Sequence, residues 1–343
     1  MAVGTRSVTA AGTEKRTGAL VLGATGHIGS AIARELLSRG YRVTAASRRA
    51  EPPLNLQGLA VARVCGDADA PGQLEAWAEG HGVVVDAAAP YPLRLRRLFD
   101  RAEPDPIAYA RERTRRLLAV VRTHSARLIY VSSFTTMVRP RAGLGGWQAA
   151  LARRLHPYFP VKEAIESELI RAARAGIPVV IVNPTVCLGP GDLKERERCF
   201  VPRLLCGEIR LMPRIVLNVI DVREVAAAAL DALEAERYGA PALLAGHDIA
   251  VDALFDWICE LGGCAPPRYE VPPAAAVLPA WLAELMLSAA GAEPPMLSLV
   301  PALLAQHDWL NPQAPRSQLG FRPRPLSQTL RDTIDWYRRL GYC

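Results

Sequence analysis

The chain has no apolar run of membrane-spanning length, no block of like charge, few aromatics and almost no lysine. Each shortage removes a class of protein. Between 271 and 305, where Leu, Ala and Pro are dense, Glu284, Glu293 and repeated prolines interrupt every apolar stretch short of the ~20 residues a bilayer requires, so no membrane span is expected. The net charge of +7 comes from arginines scattered over 343 residues, a pattern that gives no concentrated basic face for nucleic acid. The seven cysteines (Cys65, Cys187, Cys199, Cys206, Cys259, Cys264 and Cys343) are odd in number. Cys259 and Cys264 lack a nearby second Cys or His pair to complete a zinc site, so no metal is expected. Reduced thiols and a cytoplasmic protein follow as expectations. Residues 1–17 lack an apolar segment and end in charge, and are expected to form a disordered tail.

Hydrophobic residues make up 50% of the chain and charged residues 22%, a globular profile with enough length for one large domain and an elaboration. Short apolar runs at 19–22, 42–46, 60–64, 83–87, 128–132 and 178–183 read as strands. Amphipathic stretches such as 30–39 and 107–124 lie between them and read as helices. That alternation predicts an α/β fold of Rossmann type, a doubly wound parallel sheet. The nucleotide-binding unit is expected over 18–185, with 217–235 returning to it. A smaller, interleaved substrate-binding unit is expected from 186–216 and 236–343. In its last third, Trp281, Leu285, Met286, Leu299 and Leu303 suit either an apolar pocket wall or plain core.

The first strand runs into Gly23-Ala24-Thr25-Gly26-His27-Ile28-Gly29 and then into a helix. Glycines there permit a tight turn, close approach of backbone to a pyrophosphate and close helix packing, and the helix N-terminus faces the phosphates. Gly23, Thr25, Gly26, His27, Ile28 and Gly29 are therefore candidate dinucleotide-binding residues. At the end of the second strand the chain reads Ala46-Ser47-Arg48-Arg49 and has no Asp or Glu for the ribose hydroxyls. Arg48 and Arg49 can pair a 2′-phosphate, which favours NADP(H), with NAD(H) as the alternative.

Farther on, Tyr158-Phe159-Pro160-Val161-Lys162 opens a helical pattern, so the phenol and ammonium lie one turn apart on one face. A cation beside a phenol favours the tyrosinate and suits it to proton transfer near neutrality. Lys and Arg number 41 together, and only three, Lys15, Lys162 and Lys194, are lysines. A chain that otherwise writes Arg has written Lys four residues after a Tyr, where a compact ammonium on a flexible stem is required. Pro160 is tolerable there if the helix begins near Pro157 and keeps it in the first turn.

The Gly-x-x-Gly-x-x-Gly spacing, with Gly66-Asp67 after the third strand and Asp86-Ala87-Ala88-Ala89 after the fourth, resembles the extended and atypical short-chain dehydrogenases/reductases. The stretch Val182-Asn183-Pro184-Thr185-Val186 looks like that of dihydroflavonol-reductase-like and hopanoid-associated epimerase-like members, and the likeness extends over 18–342. It implies that Asp67 contacts the adenine and that Ala87, Ala88 and Ala89 pass beneath the cofactor. Pro184 and Lys162 join the cofactor site. Ser133, with Thr135 and Ser132 behind it, would polarise a substrate carbonyl. Tyr91 and Val186 are candidate substrate contacts. The chain departs from the family in the helix at Ala110-Arg111-Glu112-Arg113-Thr114, where the family usually has an Asn followed by Gly-Thr.

The resulting expectation is an NADPH-dependent reductase of a ketone on a small, hydrophobic, secondary-metabolite-like molecule, with Tyr158 as proton donor. The chain would act as a monomer or homodimer. The alternatives are an epimerase or dehydratase that keeps its cofactor, or a non-catalytic NADP-binding sensor.

Overall fold

The computed structural model describes residues 17–48, 50–51, 53–88, 105–137, 158–271, 286 and 323–343. Arg49, Ala89, Tyr91, Pro157, Trp281, Leu285, Leu299 and Leu303 lie outside the described residues, as does nearly all of the expected tail.

The expected parallel sheet is present. Its strands are β1 (Gly18–Leu22), β2 (Arg42–Ser47), β3 (Ala62–Cys65), β4 (Val83–Asp86), β5 (Arg127–Val131), β6 (Val179–Pro184) and a later strand, Pro241–Leu244. In space they run β3, β2, β1, β4, β5, β6 and then 241–244, every pair parallel. Strands β1, β4 and β6 are buried along their whole length, which explains why they read as unbroken apolar runs without alternation. The strand order reverses between β1 and β4, so the crevice at their carboxyl ends is where such a sheet takes a ligand.

Two helical layers cover the sheet. On one face α1 (His27–Ser38) packs against the alanine-rich helix Val222–Glu234, which lies over β5 and β6 with its small side chains at Ala226, Ala228 and Ala229 buried. On the other face α2 (Gln73–Ala78), α3 (Pro106–Thr123) and α4 (Tyr158–Arg174) enclose Leu20, Leu128, Tyr130, Ile165 and Leu169. Asp105 caps α3 by accepting the Ile107 N–H at 3.0 Å, and Pro106 follows at a position where no amide hydrogen is needed.

A third core lies beyond the sheet. The elements after β6 are, in chain order, β7 (Val186–Leu188), α5 (Phe200–Leu205), β8 (Leu211–Pro213), β9 (Val216–Asp221), α6 (the helix Val222–Glu234), β10 (the strand Pro241–Leu244), β11 (His247–Ala250), α7 (Val251–Gly262), β12 (Tyr269–Val271) and α8 (Leu326–Arg339), and all but α6 and β10 lie outside the central sheet and its two layers. β9 pairs with β7 and β11 in a separate three-stranded sheet, and α5, α7 and α8 close on it around Leu204, Leu254, Ile258 and Trp336. The interleaving differs in detail from the sequence reading. Of 217–235, the helix α6 returns to the central sheet but the strand before it stays in the small sheet. Of 236–343, β10 leaves the smaller unit and pairs with β6 as the seventh parallel strand. The apolar run Pro-Ala-Leu-Leu of β10 is too short to signal its partner from sequence. Among the described residues no helix is long and apolar enough to cross a membrane.

Candidate active site

The glycine turn after β1 is shaped by contacts that leave no room for side chains. Gly23 has φ +74°, and a β-carbon on it would lie 2.8 Å from the Ala87 carbonyl oxygen; one on Gly29 would lie 2.1 Å from the Gly23 carbonyl oxygen. Gly26 is the N-cap of α1, and its amide bonds to the Gly23 carbonyl at 2.9 Å. A cleft of about 540 Å³ opens here, lined by Gly23, Thr25, Gly26, Arg48, Asp67, Ala87 and Ala88, with Trp77, Tyr109 and Arg113 beside them. A glycine cradle at a helix N-terminus fits a dinucleotide pyrophosphate.

The side chains around this cleft are sorted by their partners. Arg48 is exposed at the end of β2 and has no carboxylate partner among the described residues. Asp67 is exposed and accepts the Asp69 N–H at 2.9 Å, which fixes the loop after β3. Ile28 packs into the core under the sheet. The His27 ring turns from the cleft toward the Gly189 carbonyl, with Nε2 at 3.2 Å, and burial holds its pKa below the usual histidine value despite nearby Asp192. Pro184 is buried at the end of β6, and Val186 is half-buried against the third core.

Tyr158 and Lys162 occupy the first turns of α4, both buried, at 6% and 1% exposure. Pro160 is the third described residue of the helix, where its missing N–H removes no helical bond. The Lys162 ammonium donates to the Tyr130 hydroxyl at 3.2 Å and the Val131 carbonyl at 3.1 Å. Burial works against its charge, but the oxygens of Tyr130 and Tyr158 and the Asp86 carboxylate outweigh that and hold its pKa above the ordinary lysine value. Lys162 thus remains a cation, bonded to the Tyr130 phenol and within electrostatic reach of Tyr158.

The hydroxyls after β5 are sorted by a carboxylate. Glu166, one turn beyond Lys162 and buried, accepts from Ser132 Oγ, from Thr136 Oγ1 at 2.8 Å and from Asn183 Nδ2 at 2.6 Å, all on Oε1. Ser132 is consumed by this bond. Ser133 is half-buried, and its Oγ accepts from Thr135 N–H at 3.3 Å and Thr135 Oγ1 at 3.0 Å, an arrangement that leaves its own O–H to donate elsewhere. Tyr130, Glu166 and Asn183 went unassigned in the sequence reading. The spacing Tyr158, Lys162, Glu166 places all three on one helix face and could have flagged Glu166.

A second buried charge lies under the cleft. Arg113 of α3 donates to both Asp86 oxygens, at 2.6 and 3.3 Å, and through Nε to Asp69 at 3.0 Å. Burial would raise the Asp86 pKa, but Arg113 and the Ala88 N–H hold it below the usual carboxylate range.

Taken together, the switch-point cleft and the Tyr/Lys helix beside it define an NAD(P)-dependent oxidoreductase of the extended short-chain dehydrogenase/reductase type. Residues 19–241 match the model of the NAD dependent epimerase/dehydratase family, and the chain belongs to that family. It is 29% identical to a protein of Synechocystis sp. that carries the name dihydroflavonol 4-reductase, over 94% of this chain and 95% of that one. It is 30% identical to sterol demethylase protein B of Methylococcus capsulatus, over 74% of this chain and 77% of the relative. Among solved structures, a nucleoside-diphosphate-sugar epimerase from Pseudomonas aeruginosa superposes with a TM-score of 0.70 at 26% identity, covering 95% of this chain and 99% of its own.

Proposed function

We propose that the protein reduces a ketone on a small hydrophobic substrate with NADPH. The observation that carries the reading is the buried Lys162 ammonium, bonded to the Tyr130 phenol and within electrostatic reach of Tyr158, one helical turn before it, and of Asp86 at the cofactor cleft. Gly23, Thr25, Gly26 and Gly29 would hold the pyrophosphate at the N-terminus of α1. Asp67 would contact the adenine, Ala87 and Ala88 would lie beneath the cofactor, and Arg48 would pair the 2′-phosphate. A bound reduced nicotinamide would supply hydride to the carbonyl carbon. Tyr158 donates the proton to the carbonyl oxygen, Lys162 stabilises the tyrosinate left behind and Ser133 donates a hydrogen bond to the developing alkoxide. Val186, in the strand next after Pro184, is a substrate-facing candidate. The full-length relative with a reductase's name supports reduction as the net reaction.

The test is stoichiometry. Purified protein offered NADPH and a panel of aryl and alicyclic ketones is expected to oxidise one NADPH per alcohol formed. Turnover of a substrate with no net NADPH oxidation would overturn the reductase reading in favour of an epimerase or dehydratase.

A further inference from the structure

Arg113 has no counterpart in the chemistry just described, yet it is a buried guanidinium lining the cofactor cleft, 6% exposed. Its fork reaches two loops that both line that cleft, one after β3 and one after β4, strands that β1 and β2 separate in the sheet. Asp86 ends β4; its Oδ1 accepts the Ala88 N–H at 3.0 Å and so fixes the Ala87–Ala88 segment against Gly23. Asp69 belongs to the loop after β3 that carries Asp67. Asp69 has further ties to α3, through the Tyr109 hydroxyl and Arg116, whereas Arg113 is the one helix residue that hydrogen-bonds Asp86 among the described residues.

We propose that Arg113 is a positioning residue that sets the width of the dinucleotide cleft by bridging Asp69 and Asp86. The inference rests on the dinucleotide reading of the cleft. A planar fork with separate N–H groups can bond two carboxylates at once in a fixed geometry, which a lysine cannot. Because Arg113 is engaged by these carboxylates and does not read a phosphate, its loss acts on the adenine dinucleotide as a whole, whichever cofactor is bound.

The experiment compares Arg113→Met, Arg113→Lys and the double variant Arg113→Met/Asp86→Asn in the full chain. NADPH and NADH affinities are measured by calorimetry, folding by thermal unfolding and the cleft by the emission of Trp77, taken as the difference from a Trp77→Phe background. Arg113→Met alone strands a buried carboxylate and is expected to unfold at lower temperature. The double variant removes that charge, since neutralising a buried pair is often tolerated, and is expected to fold. It is nonetheless expected to bind NADPH and NADH at least tenfold more weakly, by the same factor for both, with altered Trp77 emission. Arg113→Lys is expected to recover folding fully and affinity only in part. Wild-type affinity in the double variant or in Arg113→Lys would overturn the bridge, as would a loss confined to NADPH. If the unsubstituted protein binds neither nucleotide, the dinucleotide reading itself falls, an outcome the wild-type titration separates from the others.

Discussion

Replacing Glu166 by Gln changes one buried charge and almost no shape. In the native site Oε1 accepts from Ser132, Thr136 and Asn183. Hydrogen bonds to an ionised acceptor are worth about 1.5–3 kcal/mol and neutral ones about 0.5–1.5, so each of the three loses roughly 1 kcal/mol. They share one oxygen and do not add fully, which gives an expected destabilisation of about 2–3 kcal/mol. That is a large part of the roughly 5–15 kcal/mol that holds a domain together. Glu166→Ala is expected to cost more, because the buried Ser132 hydroxyl loses its acceptor outright, at about 1–3 kcal/mol for a buried group left without a partner, while Thr136 and Asn183 keep their bonds to the Ser133 carbonyl. The same bonds hold the segment that carries Ser133, since Asn183 also donates to the Ser133 carbonyl at 3.0 Å. Urea unfolding therefore measures the stability term, and steady-state kinetics should show turnover falling while NADPH affinity is unchanged. A Gln variant as stable and as active as wild type would show that the carboxylate is not what arranges these hydroxyls.

Three further outcomes are expected. Arg48→Ala should weaken NADPH binding about ten- to a hundredfold, from roughly 1.5–3 kcal/mol for a charge-assisted bond, and leave NADH almost unchanged; Arg49 must be replaced singly and together with it, and NADPH affinity that survives loss of both would contradict the 2′-phosphate assignment. Gly29→Ala places a methyl 2.1 Å from the Gly23 carbonyl, so both nucleotides should bind poorly, and calorimetry showing normal binding would mean the turn can relax. The Asp86 pKa is depressed in the folded protein, so its stabilisation is present above the unfolded value of about 4 and is lost as pH falls through the folded value. Urea midpoints should accordingly drop more steeply on acidification in wild type than in Asp86→Asn, and parallel profiles would refute the coupling to Arg113.

Much of the sheet was legible because strands such as β1, β4 and β6 are buried on both faces and so write themselves as short apolar runs, as in Ala19-Leu20-Val21-Leu22 and Val83-Val84-Val85. The glycine turn was legible for a related reason: Gly23 and Gly29 stand where backbone meets backbone, and no other residue fits. What stayed hidden depends on contacts between distant segments. Nothing local in Pro241–Leu244 announces that it pairs with β6, and Val216–Asp221 looks like one more strand of the main sheet until its pairing with β7 and β11 is seen. The same limit applied at the site. Ser132, Ser133 and Thr135 are chemically alike in sequence, and only the position of Glu166 on the neighbouring helix shows which hydroxyl is already engaged. The departure at Arg113 was visible as an oddity, but its partners Asp69 and Asp86 are 44 and 27 residues away, and a bridge between them required the fold.

In the proposed reaction Tyr158 gives its proton to the carbonyl oxygen, and Tyr158→Phe removes that proton while keeping the ring. The ring remains to pack edge-on against Phe159, where the two centroids are 5.5 Å apart, so the helix should be undisturbed. NADPH binding measured by calorimetry is expected to be nearly that of wild type, while NADPH oxidation with the best ketone should fall by about 10²- to 10⁴-fold, the usual contribution of a general acid. Turnover within about tenfold of wild type, with cofactor still bound, would mean that another group donates the proton and would contradict the account.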